Sequence, residues 1–262
     1  MTTLSLAVRD SSTMLRRNLL HMRRYPSMTL MLVGIPVILL LLFVYVFGGT
    51  LGAGLGPSGD RGDYANYVTP GILLITVVSG AQGTAISVAM DMNEGIIARF
   101  RTMAIFRPSV LTGHVLGSVI QTLLSLAAVI GVALLIGFRP TANPVEWLAA
   151  TGVLAMVTVA LTWLSVALGL VADSVESASN LPMPLILLPF LGSGFVPTDS
   201  MPTAVRLFAE YQPFTPVMET LRGLLLGTGI GSNGLIAVAW CAVITVVCFL
   251  WAKALYNRNP AR

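Results

Sequence analysis

Met28 to Phe47 is a run of twenty residues without a single charge, and this limits what the chain can become. As a helix rising about 1.5 Å per residue, such a run covers a hydrocarbon core of about 30 Å. Comparable runs follow at Tyr67–Met90, Leu111–Phe138, Trp147–Ala172 and Leu235–Ala254, and none holds an Asp or Glu. A further apolar run, Leu181–Val196, has sixteen residues and contains Pro182, Pro184 and Pro189. As a helix it reaches only about 24 Å, so something else must complete the crossing. The expected fold is therefore an all-α integral membrane protein, one transmembrane domain over 1–262 with six spans at 28–47, 67–90, 111–138, 147–172, 181–196 and 235–254.

Charged residues make up 10% of the chain, hydrophobic residues 55%, and the mean hydropathy is +0.84, a combination foreign to a water-soluble domain. The net charge of +4 rests almost wholly on arginine, with Lys253 the only lysine. Arginine at membrane surfaces accounts for that balance without any nucleic acid. The sequence around Lys253, Leu-Trp-Ala before it and Ala after it, cannot be a G-x-x-x-x-G-K-[ST] phosphate loop. The chain is expected to have no ATPase of its own. Cys241 and Cys248 lie seven residues apart in one apolar run, too far for a mutual bond along a helix. With His21 and His114 the only histidines and no cysteine near either, no metal site and no cofactor are expected.

The polar stretches organise the rest. On a helix, Leu4, Val8, Leu15, Leu19 and Met22 oppose Arg9, Arg16, Arg17, Arg23 and Arg24, which predicts an interfacial helix within 1–27. Gly48–Asn66 reads as a flexible polar loop, with Tyr64 and Tyr67 as interface anchors. Pro36 is expected to kink the first span. Asp91–Pro108 is a charged amphipathic segment between two spans, either a docking element or an ordinary interfacial loop. In Pro197–Gly234 two short apolar pieces predict a helical hairpin that dips into the bilayer and returns, its helices starting near Pro202 and Pro216. Glu219 and Arg222 stand three apart on the second helix and can pair there. Thr76, Ser79, Ser118, Gln121, Thr158 and Thr162 recur on single helix faces. They fit a translocation path, but helix packing is the stronger reading. A neutral His114 bonded to a backbone carbonyl is expected near the end of its span.

Six spans put both termini on one side. With the amino end inside, the inner segments hold Arg9, Arg16, Arg17, Arg23, Arg24, Arg99, Arg101, Arg107, Lys253, Arg258 and Arg262, and the outer ones only Arg61, Arg139, Arg206 and Arg222. The positive-inside rule then places both termini in the cytoplasm of a multi-pass cell-membrane protein.

Three stretches resemble the type-2 ATP-binding-cassette exporter permeases, most of all the daunorubicin-resistance branch. They are YANYVTPGI at Tyr64–Ile72, MNEGIIARFRTMAIFRPSV at Met92–Val110, and LPFLGSGFVPTDSMPTAVRLFAEYQPFTPVMETLRGL at Leu188–Leu224. Met103-Ala104-Ile105-Phe106 departs from the pattern, standing where many relatives carry a proline. The resemblance implies a permease subunit that pairs with a second permease, identical or sibling, and with two copies of a separate ATPase. It implies outward movement of an amphiphilic compound: a drug, a lipid or a lipid-linked glycan. It further implies that 91–110 is a coupling helix seated on the ATPase, with Asp91, Glu94, Gly95, Arg99, Phe100 and Arg101 as its contact residues. Pro216, Glu219 and Arg222 mark the re-entrant hairpin. A membrane-embedded enzyme would need paired carboxylates or a nucleophile with its base within the spans, and the six spans contain no Asp or Glu. The remaining alternative, a secondary transporter driven by an ion gradient, finds only the broken fifth run in its favour.

Overall fold

The computed structural model describes residues 26–55, 60–95 and 108–258. The expected surface helix over Thr3–Tyr25, and Arg99, Phe100 and Arg101 of the coupling segment, lie outside these residues. Among the described residues every regular element is helical.

The first helix, α1, runs over Pro26–Leu41, widens into a π-helix over Leu42–Phe47 and resumes over Gly48–Ala53. The expected span boundary at Phe47 and the loop at Gly48 are thereby corrected. The glycines that suggested flexibility are there because the backbones are close: Gly48 and Gly52 are buried where α1 passes the start of the next helix. A Cβ on Gly48 would lie 3.2 Å from Arg61 Cγ, and one on Gly52 would collide with the Asp60 backbone. Pro36 is accommodated inside the helix.

Helix α2 spans Arg61–Asn93 and so begins earlier than the expected Tyr67. The charges that made this stretch look like a loop form its cap. Asp60 accepts from the Asp63 backbone N–H at 2.9 Å, and Asp63 accepts in return from the Asp60 N–H at 3.3 Å, a reciprocal capping box. Tyr64, expected as an interface anchor, is instead buried, and its hydroxyl donates to the Phe195 carbonyl at 3.3 Å.

Helix α3 covers Pro108–Ile136 and α4 Pro144–Val171. At the head of α4, Asn143 and Glu146 form a second capping box with Pro144 in the first turn. The run Leu181–Val196 does not form one helix. The chain makes two short helices, α5 at Val175–Asn180 and α6 at Met183–Leu187, and then turns through Leu188–Phe195. Its prolines lack the amide hydrogens that a continuous ladder needs. Two further helices, α7 at Thr203–Tyr211 and α8 at Phe214–Leu226, meet at a corner over Gln212 and Pro213, and α9 spans Asn233–Arg258.

Among the described residues, five helices are long and apolar enough to cross a membrane: Thr29–Ala53, Arg61–Asn93, Leu111–Ile136, Pro144–Val171 and Asn233–Tyr256. The largely buried α2 and α4 form the centre, and α1, α3 and α9 surround them with mostly exposed apolar faces. The starts of α2, α4 and α9 share one end of the bundle with α8, where the Thr141 N–H donates to the Leu225 carbonyl at 2.9 Å and the Arg139 N–H to Asn66 Oδ1 at 2.8 Å. The end of α2 and the start of α3 lie at the other.

Candidate functional site

At the α8 end, short apolar helices become a built site because one cation is buried among them. Met218, Leu221 and Leu225 of α8 are fully buried, and the helix packs on α2, α4 and α9. On the same helix Arg222 is only 7% exposed. Its guanidinium pairs with Glu219 one turn back, donates to the Ser193 carbonyl at 2.9 Å and to the Tyr67 carbonyl at 3.2 Å, and lies 4.0 Å from the Tyr67 ring centroid. One side chain therefore ties together α2, the turn after α6, and α8. A planar fork suits this work, since it stacks on an aromatic face while donating sideways.

The turn that receives Arg222 is shaped by its small residues. A Cβ on Gly71 of α2 would stand 2.9 Å from the Gly194 carbonyl oxygen, so the Gly192-Ser193-Gly194 stretch lies directly on α2. Buried Gln212 at the helix corner donates to the Leu188 carbonyl at 2.8 Å, and the Ser193 N–H reaches Thr215 Oγ1 at 3.4 Å. Phe43 of α1 and Phe190 pack against Phe195 with ring centroids 4.5 and 4.4 Å away. Pro216 falls in the first turn of α8, whose start is Phe214.

At the opposite end, α2 closes at Asn93 with Glu94 as C-cap, and Gly95 follows at φ +69°. That left-handed backbone is open to glycine without strain, so the Glu-Gly pair works as a helix stop. Asp91, in the last turn of α2, and His114 of α3 are both buried, with Nε2 and Oδ2 2.9 Å apart. The expected carbonyl partner of His114 is thus replaced by a carboxylate. Nothing in the sequence showed that Asp91 and His114, on separate helices, would meet.

The six polar span residues take different local partners. Thr76 and Thr158 are buried and return their hydroxyls to Ile72 and Leu154 carbonyls of their own helices at 3.0 and 2.7 Å. Thr162 of α4 is also buried. Ser79 is half-buried and bonds the Ile75 carbonyl at 2.9 Å. Ser118 pairs with Thr84, and Gln121 donates to Thr29 Oγ1 at 3.1 Å. An apolar cleft lined by Leu161, Phe214, Val217, Trp240 and Cys241 contains none of them. Tyr67 and Ser193 were missed as partners of Arg222, and Gln212 as part of the turn that receives it. Their only sequence signal was a glutamine and a Gly-Ser-Gly triplet within apolar surroundings.

A bundle of long apolar helices with a buried arginine among short helices at one end has the make-up of a multi-pass membrane protein. Residues 10–226 match the ABC-2 type transporter family, and the chain belongs to it. It is 28% identical over 256 residues to a daunorubicin resistance ABC transporter permease protein of Streptomyces coeruleorubidus, covering 97% of this chain and 88% of that one. It is 24% identical over 223 residues to a probable doxorubicin resistance ABC transporter permease protein of Mycobacterium tuberculosis, covering 85% and 80% of the two chains. The chain is a multi-pass membrane permease subunit of an ABC exporter, without an ATPase of its own. Family membership implies an ATPase partner and disfavours the secondary transporter.

Proposed function

We propose that this permease moves an amphiphilic compound outward, a drug, lipid or lipid-linked glycan, as one of two permease subunits joined to two ATPase subunits. Both termini and the 91–110 segment face the cytoplasm, and Glu94, Gly95, Arg99, Phe100 and Arg101 meet the ATPase, whereas Asp91, expected among those contacts, is buried against His114 and is left out of them. The broken run 181–196 acts as the sixth span, completed in the outer leaflet by the α7–α8 hairpin. The observation that carries this reading is Arg222, which closes α2, the Ser193 turn and α8 at what is then the outer mouth. Its pair with Glu219 fits a latch that must open for cargo to leave.

The exposed face of α2 supports a second subunit. Ser79, Gly83, Ile86 and Ser87 lie on one face by helical spacing and are only half-buried or exposed, unlike the apolar outer faces of α1 and α9, while the adjacent Gln82 donates to the Ser179 carbonyl of α5 at 2.8 Å. Acyl chains solvate such a strip poorly. The second permease covers it, and the cargo path runs between the two copies, past Ser79 rather than Thr76, Thr158 and Thr162. The test is uptake of a fluorescent anthracycline and of a labelled lipid-linked glycan into inverted vesicles holding permease and ATPase. ATP-dependent uptake of either supports the reading and assigns the cargo, whereas ion-gradient-driven uptake without ATP overturns it.

A further inference from the structure

The Asp91–His114 pair closes the base of the segment 94–107, because Asp91 stands three residues before its start and His114 seven after its end. The pair is the last rung of a longer seam. Along the antiparallel α2–α3 contact, Gly80 lies against Thr122, Thr84 hydrogen-bonds Ser118, and Asp91 meets His114. The residue numbers fall on one strand of the seam as they rise on the other, so α2 and α3 are held at successive levels down to the segment. Gly80 makes the close approach possible, since a Cβ there would overlap the Thr122 hydroxyl.

Both members of the last rung are buried: His114 is 4% and Asp91 8% exposed. A directional bond between buried polar groups fixes geometry more tightly than apolar contact does, because losing it leaves a polar group without water. Force arriving at the segment reaches α2 through Glu94 and α3 through Pro108. Without the rung, the ends of the two helices nearest the segment are held together only by apolar contact and by the levels farther along the seam.

From this geometry we infer that Asp91 and His114 form a positioning clamp that makes α2 and α3 follow the segment as one body, coupling ATP hydrolysis to cargo movement without taking part in ATPase docking. This rests on the exporter reading above. The pair acts through the helices it joins, and neither residue needs to touch cargo.

The experiment uses the permease–ATPase complex in vesicles, with Cys241 and Cys248 replaced. His114→Gln, and the double variant Asp91→Cys/His114→Cys, are compared with the parent for ATPase recovery, ATP hydrolysis and cargo uptake. Cargo moved per ATP hydrolysed is expected to fall about fivefold or more in the double variant, with ATPase recovery unchanged. A short, reducible thiol cross-linker between the two cysteines is expected to restore the ratio, and reduction to abolish it again. His114→Gln, which keeps a donor for Asp91, is expected to retain most of the parent ratio. An unaltered ratio in the uncross-linked double variant, or no recovery on cross-linking, overturns the clamp. Loss of ATPase recovery in either variant overturns it too, since the pair would then serve docking. Absence of ATPase from the parent complex would strike the exporter reading instead, so the two failures are distinguishable.

Discussion

Arg222 shows how far a residue can be read before its neighbours are known. The i, i+3 spacing with Glu219 gave the pair, and the structure has it. The spacing held no trace of the Tyr67 and Ser193 carbonyls that accept its other donors, because those contacts join positions 155 and 29 residues away. Arg222→Ala therefore removes more than an ion pair. It strips two buried carbonyls and leaves Glu219, one-third exposed, alone. Breaking a buried charge network costs about 3 to 5 kcal/mol, which part-exposure of Glu219 brings toward the lower end. The expected outcome is a lowered midpoint of thermal unfolding in detergent. Arg222→Lys is expected to recover only part, since an ammonium neither forks nor stacks on Tyr67 as a guanidinium does. Full recovery by lysine would show that charge alone matters there. Tyr64 carries the opposite lesson. A tyrosine at the end of an apolar run suggests the interface, yet the long-range Phe195 carbonyl draws it into the core.

Element existence was legible wherever a run with at most one charge reached twenty residues, because length alone then demands a helix. Element ends were less so. The Asp60–Asp63 and Asn143–Glu146 boxes use the same charged and polar residues that mark loops, so the capping pattern and the loop pattern competed for them. Glycine is ambiguous in the same way, and the structure resolves it position by position. A Cβ on Gly71 would meet three Gly194 backbone atoms at 2.9 to 3.2 Å, and one on Gly169 would stand 2.7 Å from the Ala85 carbonyl oxygen, whereas one on Gly83 would meet nothing within 4 Å. Gly71→Ala and Gly169→Ala are expected to destabilise the isolated permease, by about 1 to 3 kcal/mol as an overpacked contact does. Gly83→Ala is expected to leave its stability unchanged or raise it by up to about 1 kcal/mol through helix propensity. Gly83→Trp gives the sharper test of the polar α2 face. If a second permease covers that face, the bulky residue halves or abolishes recovery of the paired permease in cross-linking while the single chain stays folded. Undiminished pairing would remove α2 from the interface.

For the whole molecule, membership of the ABC-2 type transporter family assigns nucleotide to an ATPase partner. The purified permease is expected to show no binding of a fluorescent ATP analogue, and saturable binding by the permease alone would refute this. The harder question at this scale is where the bilayer lies along the bundle. Five long helices alone would put the termini on opposite sides, so the fate of 175–226 decides the topology. An odd number of crossings would carry Lys253, Arg258 and Arg262 outward, against the arginines of the amino-terminal stretch. A broken sixth crossing, completed by the hairpin, keeps them inside. The packing favours that arrangement. Leu221 and Leu225 are buried on α2, α4 and α9, and Phe214 and Val217 line the same cleft as Leu161 and Cys241, residues well along α4 and α9 from their starts. Leu225 instead bonds at the α3–α4 turn, so α8 rises from inside the bundle toward that end. Backbone at such depth is tolerated when it is helical and packed on protein. Single cysteines along Thr203–Leu226, in a background lacking Cys241 and Cys248, are expected to react with an impermeant outside reagent near Thr203 and Leu226 and to lose reactivity toward Gln212 and Pro213. Uniform outside labelling along the hairpin would place it on the surface, and labelling from the cytoplasm alone would reverse the topology.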